Sequence, residues 1–320
     1  MNHILEELST LGIVPIIELD QPEDASPLAG ALCNGGLPCA EVTFRTDAAE
    51  ESIRIMSTQF PDMLVGAGTV LTTSQVDCAI AAGARFIVSP GLNPKIVRYC
   101  LDQNIPIIPG CTSPGEIEQA IELGLDVVKF FPAEASGGLT MIKALSGPYR
   151  NIRFMPTGGI QADTVNTYLG FSKVIACGGS WMVNKEFIKN KNFTAITALT
   201  KDAVSTILNF EVVRIGINEA NASQAASLAA VFEKMFGFIM TENKDSIFAG
   251  DKIEIMKTPC PAANGQITVG TNYINRAVYH LGKRGFEFDP DTAEYDKLHN
   301  LNFICLKGEF GGFRLVLKQK

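Results

Sequence analysis

Histidine is scarce in this sequence of 320 residues. Only His3, His280 and His299 occur, so none lies between residues 4 and 279. Histidine is the base of a Ser-His-Asp triad and a common zinc ligand. The first two thirds of the chain therefore has no internal histidine for either kind of site.

Closely spaced cysteine pairs are missing as well. The chain has no CxxC motif, and its eight cysteines are Cys33, Cys39, Cys78, Cys100, Cys111, Cys177, Cys260 and Cys305. In a chain of this length such spacing is typical of reduced thiols buried as small hydrophobic residues. It argues against a disulfide scaffold or a zinc site. We expect a cytoplasmic protein.

An excess of positive charge and long apolar runs are also absent. The net charge is −7, whereas nucleic-acid binding requires a basic face that contacts phosphates. No uninterrupted apolar run reaches the ~18 residues of a membrane span. The N-terminus has no basic region followed by a long apolar run, as a signal peptide would. We expect no nucleic-acid partner and no membrane association.

Strand-like and helix-like segments alternate over the first 200 residues. Eight strands are predicted, at residues 13–19, 39–44, 64–69, 85–90, 105–110, 127–132, 153–159 and 173–179. Two of the helical stretches between them begin at Ser74 and Ser113, residues suited to capping a helix N-terminus. Because neighbouring parallel strands need a crossover, this alternation predicts a (β/α)8 TIM barrel. An open doubly wound sheet is the alternative, but no GxGxxG follows the first strand.

The pattern changes after a helical stretch near residues 185–208. A strand at 210–218, a helix at 222–237 and three short strands are followed by the same order of elements from residue 266 onward. Two βαβββ modules in about 110 residues predict a smaller α+β domain. The predicted domains are therefore residues 1–208 and 209–320.

The stretch VVKFFPAE, residues 127–134, places a lysine in an apolar strand. Alternate residues of a strand face opposite sides, so Lys129 shares its side with Val127 and Phe131 and is predicted to face the barrel mouth. Apolar surroundings disfavour an ammonium ion and leave more free amine to attack a carbonyl group. The alternative is a lysine that reaches solvent or pairs with a carboxylate.

Other strand ends carry residues that suit the same chemistry. In CAEVTFR, Glu41 and Arg45 share a side at the mouth of the second strand. A carboxylate beside an amine can transfer protons, and an arginine can bind a substrate carboxylate with two hydrogen bonds. Thr69 adds a hydroxyl after the third strand. The alternative is a structural network of Glu, Arg and Lys.

Two glycine-rich turns close the last two strands. They are Pro156-Thr157-Gly158-Gly159 and Gly178-Gly179-Ser180. Glycine lets backbone N–H groups approach a phosphate, and the seventh and eighth strand ends are the recurrent phosphate site of such barrels. These turns therefore indicate a phosphorylated substrate, with two ordinary tight turns as the alternative.

Together these residues resemble the 2-keto-3-deoxy-6-phosphogluconate (KDPG) and 4-hydroxy-2-oxoglutarate (KHG) aldolase family. EVTFRT, GAGTV, SPG, IPG, VVKFFPAE, PTGGI and GGSW occur in the family's order and with similar spacing over residues 10–185. The resemblance implies a (β/α)8 barrel, usually a homotrimer, that uses no metal or other cofactor.

The resemblance also implies a role for each matching residue. Lys129 matches the Schiff-base lysine and Glu41 the carboxylate that transfers protons. The positions that match substrate-contacting residues are Arg45 and Thr69 for the pyruvate carboxylate, Pro90 and Phe131 for the pocket walls, Thr157 for the substrate chain, and Gly158, Gly159 and Ser180 for the phosphate, with Gly179 beside Ser180. Threonine at position 157 favours the gluconate-derived substrate, since the galactonate-specific relatives tend to have valine there.

The implied reaction is cleavage of KDPG to pyruvate and glyceraldehyde 3-phosphate, a step of the Entner-Doudoroff pathway. Cleavage of KHG to pyruvate and glyoxylate is a second expected activity. Three alternatives stay open: an aldolase for the galactonate epimer, a phosphosugar isomerase, and a barrel that senses a ligand without lyase activity. The last has no reason to keep Lys129, Glu41, Arg45 and Thr69 together.

The C-terminal domain resembles the glyoxalase/bleomycin-resistance (vicinal oxygen chelate) superfamily. VRIGI, FEKMFGF, KIEIM and FICLKGEFGGFRLVL carry the resemblance. Metal-binding members place His or Glu at four strand positions, but Arg214 and Gln266 align with two of them and only Glu254 suits a metal. We therefore predict a binding or assembly module without a metal, with a metalloenzyme as the alternative.

Overall fold

The chain folds into two compact units in a computed structural model that describes residues 2–320. The first unit ends at Ile207, and the second comprises Leu208–Lys320. No helix among residues 2–320 is long and apolar enough to cross a membrane. All eight cysteines are free thiols.

Eight parallel strands form the centre of the first unit. They are β1 (Ile13–Ile17), β2 (Cys39–Thr43), β3 (Leu64–Gly68), β4 (Ile87–Val88), β5 (Ile107–Ile108), β6 (Val127–Phe130), β7 (Arg153–Pro156) and β8 (Cys177–Gly179). Six are hydrogen-bonded in the order β5-β4-β3-β2-β1-β8, and β6 pairs with β7. Bridges from Gly110 to Lys129 and from Thr157 to Gly178 join the two sheets. The ring is therefore closed, which confirms the predicted (β/α)8 barrel.

Within residues 2–208, one α-helix precedes these strands and nine connect or follow them. They are α1 (His3–Leu11), α2 (Ala25–Asn34), α3 (Ala49–Gln59), α4 (Thr73–Ala81), α5 (Pro94–Asp102), α6 (Pro114–Glu122), α7 (Gly138–Ser146), α8 (Val165–Leu169), α9 (Lys185–Lys189) and α10 (Phe193–Leu208). The helical stretch predicted at 185–208 is thus two helices. They are separated near Lys191, whose backbone is left-handed with a φ of 54°.

One of the two predicted helix starts is correct and the other is wrong. Ser113 caps α6, and Glu116 completes a capping box with it. Helix α4 is capped by Thr72 rather than Ser74, because Gln75 lies three residues after Thr72 and completes the same reciprocal pair of hydrogen bonds. A threonine followed at this spacing by a glutamine outweighs a serine nearer the apolar residues.

The inner face of the barrel is densely packed beside Glu41. Gly66 pairs in register with Glu41 and therefore faces the same side of the sheet. A β-carbon at Gly66 would lie 2.3 Å from the ring of Phe86, which is fully buried. The phenylalanine thus fills the space that any larger residue at position 66 would need.

The second unit contains one mixed sheet of eight strands and two helices. Its elements are β9 (Glu211–Asn218), α11 (Ala222–Phe236), β10 (Met240–Glu242), β11 (Ser246–Ala249), β12 (Ile253–Met256), β13 (Gly265–Thr271), α12 (Ile274–Lys283), β14 (Phe288–Tyr295), β15 (Leu301–Leu306) and β16 (Phe313–Gln319). The sheet order is β10-β11-β12-β9-β13-β16-β15-β14. This is the predicted pair of βαβββ modules, joined where β9 and β13 run antiparallel.

Helix α11 covers one face of the first module. Ala225 and Ala229 of the helix pack on Ile247 and Ile255 of the sheet. Because strand residues alternate between faces, Glu254 lies on the opposite face. In the second module, β14 is one of the longest strands and extends from Phe288 to Tyr295.

Candidate active site

Lys129 lies on β6 and is held firmly by the neighbouring strand end. Its amide donates a 2.8 Å hydrogen bond to the carbonyl of Pro109, and its own carbonyl accepts one of 2.8 Å from the amide of Cys111. Its side chain is only 6% exposed, and Nζ lies 3.2 Å from Oε1 of Glu41. Glu41 belongs to β2, on another part of the ring, so both side chains lie inside the barrel.

Glu41 is fully buried. Its Oε1 accepts from Lys129, whereas its Oε2 is buried and has no hydrogen-bond partner among the residues that the structure describes. A buried carboxylate oxygen without a partner is unfavourable. This oxygen is therefore available to accept a proton or a hydrogen bond from a bound molecule.

Gly68, at the end of β3, provides the space for Glu41. A β-carbon at position 68 would lie 2.3 Å from Glu41 Oε1 and 2.8 Å from its carboxyl carbon. Sequence reasoning treated the GAGT segment as weak support for a site and did not single out Gly68. The sequence signal for this space was the second glycine of the segment, because it faces the same side of β3 as Gly66.

Three of the predicted substrate-contacting residues follow different strands of the barrel. Phe131 follows β6, and its ring centre lies 5.2 Å from Lys129 Nζ, within the range of a cation–π contact. Thr157 is buried at the end of β7. Pro90 follows β4, and its carbonyl would lie 2.0 Å from a β-carbon at Gly110, so the two strand ends approach closely.

Thr69 has an unusual backbone conformation directly after β3. Its φ is +55°, in the left-handed region that β-branched residues rarely adopt. Such a conformation costs about 1–3 kcal/mol and is concentrated at functional sites. The strain therefore favours a functional role for Thr69 over an ordinary turn position.

The two glycine-rich turns need glycine for different reasons. Gly158 and Gly159 have φ values of +100° and +86°, which glycine adopts without steric cost. At Gly179 the reason is contact rather than conformation, since a β-carbon would lie 1.9 Å from the Trp181 ring. The indole thus lies against the backbone beside Ser180.

Arg45 makes an ion pair that sequence reasoning did not predict. Its Nη1 lies 3.3 Å from Oε2 of Glu18, which follows β1. The other oxygen of Glu18 lies 2.5 Å from Nζ of Lys185, at the start of α9. In place of the single network of Glu, Arg and Lys that was the alternative, there are two separate ion pairs. Lys129 pairs with Glu41, and Arg45 pairs with Glu18.

A cavity of about 570 Å³ opens at the ends of β1, β2, β7 and β8. Its lining includes Glu18, Arg45, Gln161, Ser180 and Lys185. It therefore brings together a predicted carboxylate-binding residue, Arg45, and a predicted phosphate-binding residue, Ser180. A cavity of this size accommodates a small organic acid.

In the second unit the aligned metal positions do not form a metal-binding set. Glu254 is held by the Arg214 guanidinium at 3.3 Å and by the Ser246 hydroxyl at 2.8 Å. Gln266 pairs in register with Arg314, another cation. Among residues 2–320, no three His, Cys, Asp or Glu side chains are grouped closely enough to bind a metal ion.

Comparison with known proteins identifies relatives of the barrel. A model of the KDPG and KHG aldolase family matches residues 4–199, a range within the first unit. The 2-dehydro-3-deoxy-phosphogluconate aldolase of Haemophilus influenzae is 50% identical over 206 residues, which are 64% of this chain and 97% of that protein.

Two solved structures share the barrel fold. The KDPG aldolase of Legionella pneumophila, with pyruvate captured at low pH as a covalent carbinolamine intermediate, has 40% sequence identity and a TM-score of 0.61, and the match covers 62% of this chain and 97% of that one. The aldolase of Zymomonas mobilis with 3-phosphoglycerate has 38% identity and a TM-score of 0.59, with coverage of 62% and 94%.

Breaking the buried ion pair on one side is expected to destabilise the barrel. Lys129→Met leaves Glu41 buried without its cation, which costs about 3 kcal/mol of unfolding free energy. The double variant Lys129→Met/Glu41→Gln removes both charges and should recover most of this loss. Denaturant unfolding measures it, followed by the fluorescence of Trp181, the single tryptophan.

Lys189→Met is the matched control, because Lys189 is exposed on α9 and its loss should change the unfolding free energy by less than about 0.5 kcal/mol. Equal stability of Lys129→Met and this control would contradict the ion pair's structural role.

Proposed function

The chain belongs to the KDPG and KHG aldolase family, and from this we propose that its barrel cleaves KDPG to pyruvate and glyceraldehyde 3-phosphate through an imine on Lys129. Family membership makes the protein an aldolase, a carbon–carbon lyase. The observation that carries the proposal is the buried pair of Lys129 Nζ and Glu41 Oε1, 3.2 Å apart inside the ring. The pyruvate carbinolamine of the Legionella relative supports the same chemistry.

Lys129 is the nucleophile in this proposal. Glu41 accepts a proton from the ammonium, and the resulting amine attacks the C2 ketone of KDPG. Glu41 returns this proton to the carbinolamine hydroxyl, which leaves as water and gives an iminium that acts as an electron sink.

Glu41 then serves as the proton-transfer group. Through a water molecule, it removes the C4 hydroxyl proton, and the C3–C4 bond breaks as its electron pair moves toward the iminium. Glyceraldehyde 3-phosphate leaves, and the enamine that remains is protonated at C3 and hydrolysed to pyruvate. The unpartnered Oε2 of Glu41 supports this role, since it offers an acceptor within the buried site.

The remaining predicted residues bind the two ends of the substrate. Arg45 and Thr69 hold the carboxylate next to C2, while Phe131, Pro90 and Thr157 line the chain. The glycine turns and Ser180 bind the phosphate through backbone N–H groups and a hydroxyl. The cavity that Arg45 and Ser180 share supports one substrate that reaches both ends.

Reduction of the imine tests the proposal directly. Borohydride with pyruvate is expected to attach the pyruvyl group to Lys129, and Lys129→Ala is expected to lose both labelling and KDPG cleavage. Glu41→Gln should be labelled more slowly, because glutamine cannot accept the ammonium proton, and its kcat should fall by about 10²–10⁴-fold, as for loss of a proton-transfer group.

Mass spectrometry of the labelled peptide and pyruvate release from KDPG and from KHG provide the measurements. Unlabelled protein that still releases pyruvate would overturn the scheme, whereas unlabelled protein that releases no pyruvate would favour the isomerase alternative. KDPG turnover by Lys129→Ala at the wild-type rate would be equally decisive.

We propose a homotrimer assembled through the barrel, as the family resemblance implies. Light scattering on the intact chain is expected to give three times the mass of one chain, and the mass of a single chain would contradict it. A cytoplasmic location and a place in the Entner-Doudoroff pathway stay predictions.

For the second unit we propose a glyoxalase-like binding or assembly module that does not use a metal. The paired βαβββ modules support the resemblance. The donor set argues against a metal, because Arg214 already neutralises Glu254 and Gln266 lies beside the cation Arg314. A divalent ion would have to displace one cation and approach another.

Metal analysis of the purified full-length protein tests this proposal. After dialysis against metal-free buffer, no stoichiometric zinc, iron, nickel or manganese is expected. The same measurement after incubation with each ion controls for loss during purification. One retained ion per chain would show that the module is a metal site after all.

A further inference from the structure

Glu18 occupies a central position at the mouth of the barrel. It follows β1, which lies between β2 and β8 in the sheet. Arg45 follows β2, and Ser180 follows β8. Glu18 therefore lies between Arg45 and Ser180 along the rim of the barrel, and all three line the same cavity.

Glu18 is the single carboxylate among the residues that line the described cavity. Its oxygens lie 3.3 Å from Arg45 Nη1 and 2.5 Å from Lys185 Nζ, and its side chain is 22% exposed. The hydrogen bond from Lys185 lowers the pKa of Glu18, with further lowering by Arg45. The group is thus an anion held in one place by two cations.

Building on the proposed function, we propose that Glu18 sets the substrate preference of this barrel, favouring a hydroxylated sugar-acid phosphate over a dicarboxylate. KDPG and KHG are identical from C1 to C4 and differ at C5. In KDPG, C5 carries a hydroxyl that can donate a hydrogen bond to Glu18. In KHG, C5 is itself a carboxylate, which would be desolvated beside a fixed anion.

A simpler role for Glu18 makes a different prediction. If Glu18 only positioned Arg45, its loss would affect the carboxylate next to C2, which both substrates share. KDPG and KHG turnover would then change by the same factor. The ratio of the two kcat/KM values therefore isolates the effect of Glu18 on the part of the substrate that differs.

The test compares Glu18→Gln, Glu18→Ala and Glu18→Asp in the full-length protein. The first two remove the charge, and each is expected to lower the ratio of kcat/KM for KDPG to kcat/KM for KHG by about tenfold, the loss typical of one charge-assisted contact. Glu18→Asp keeps the charge and should stay within about threefold of wild type. Glu23→Gln is the matched control, since Glu23 is exposed in the same segment after β1 and does not line the cavity.

Equal changes for both substrates, or an unchanged ratio in both charge-removing variants, would overturn the proposal. Thermal unfolding checks that each variant is folded, and two different replacements protect the test from the failure of one. Borohydride trapping with pyruvate is run in parallel. Wild-type protein that fails to trap pyruvate would refute the aldolase mechanism itself, whereas normal trapping with an unchanged ratio would refute only the role of Glu18.

Discussion

The ion pair between Lys129 and Glu41 is the interaction on which the rest of the barrel site depends. Two opposite charges lie 3.2 Å apart inside a ring of strands, and both are almost completely removed from solvent. Neither would be tolerated there alone. The pair is possible only because β2 and β6 belong to one closed ring, so that residues 88 positions apart in sequence meet inside it. Closure of the barrel is therefore what brings Lys129 and Glu41 together.

The residues around Lys129 and Glu41 leave room for this ion pair and hold it in place. Gly68 leaves room for the Glu41 carboxylate, and Phe86 fills the space beside Gly66. Phe131 lies near the ammonium, and Pro109 and Cys111, which follow β5, hydrogen-bond the backbone N–H and C=O groups of Lys129. One carboxylate oxygen of Glu41 accepts from lysine, and the other is buried with no hydrogen-bond partner among residues 2–320. The two oxygens of one carboxylate are therefore in different environments.

Much of the barrel could be predicted from the sequence, because its signals are local. Alternation along β6 indicates the inward direction of Lys129, and a serine three residues before a glutamate identifies the start of α6. The start of α4 was mispredicted because two candidate capping residues, Thr72 and Ser74, lie two positions apart. The signal that decides between them is Gln75, which lies three residues after Thr72 and completes the capping box.

The contacts of Glu18 could not be predicted in this way. They join residues 27 and 167 positions apart, and no periodicity or motif specifies which carboxylate an exposed arginine selects. The second unit illustrates the same limit. The order of its elements along the chain could be predicted, because one pattern occurs twice in the sequence. The pairing of Arg214 with Glu254 could not, because it depends on the register of β9 beside β12.

Gly68 limits which substitutions this site can accept. It contributes no functional group, yet the nearest atom to any side chain placed there would be an oxygen of Glu41. A side chain at position 68 would therefore have to displace the Glu41 carboxylate, although residues 41 and 68 lie on different strands. A change at position 68 is thus also a change in where that buried charge can lie.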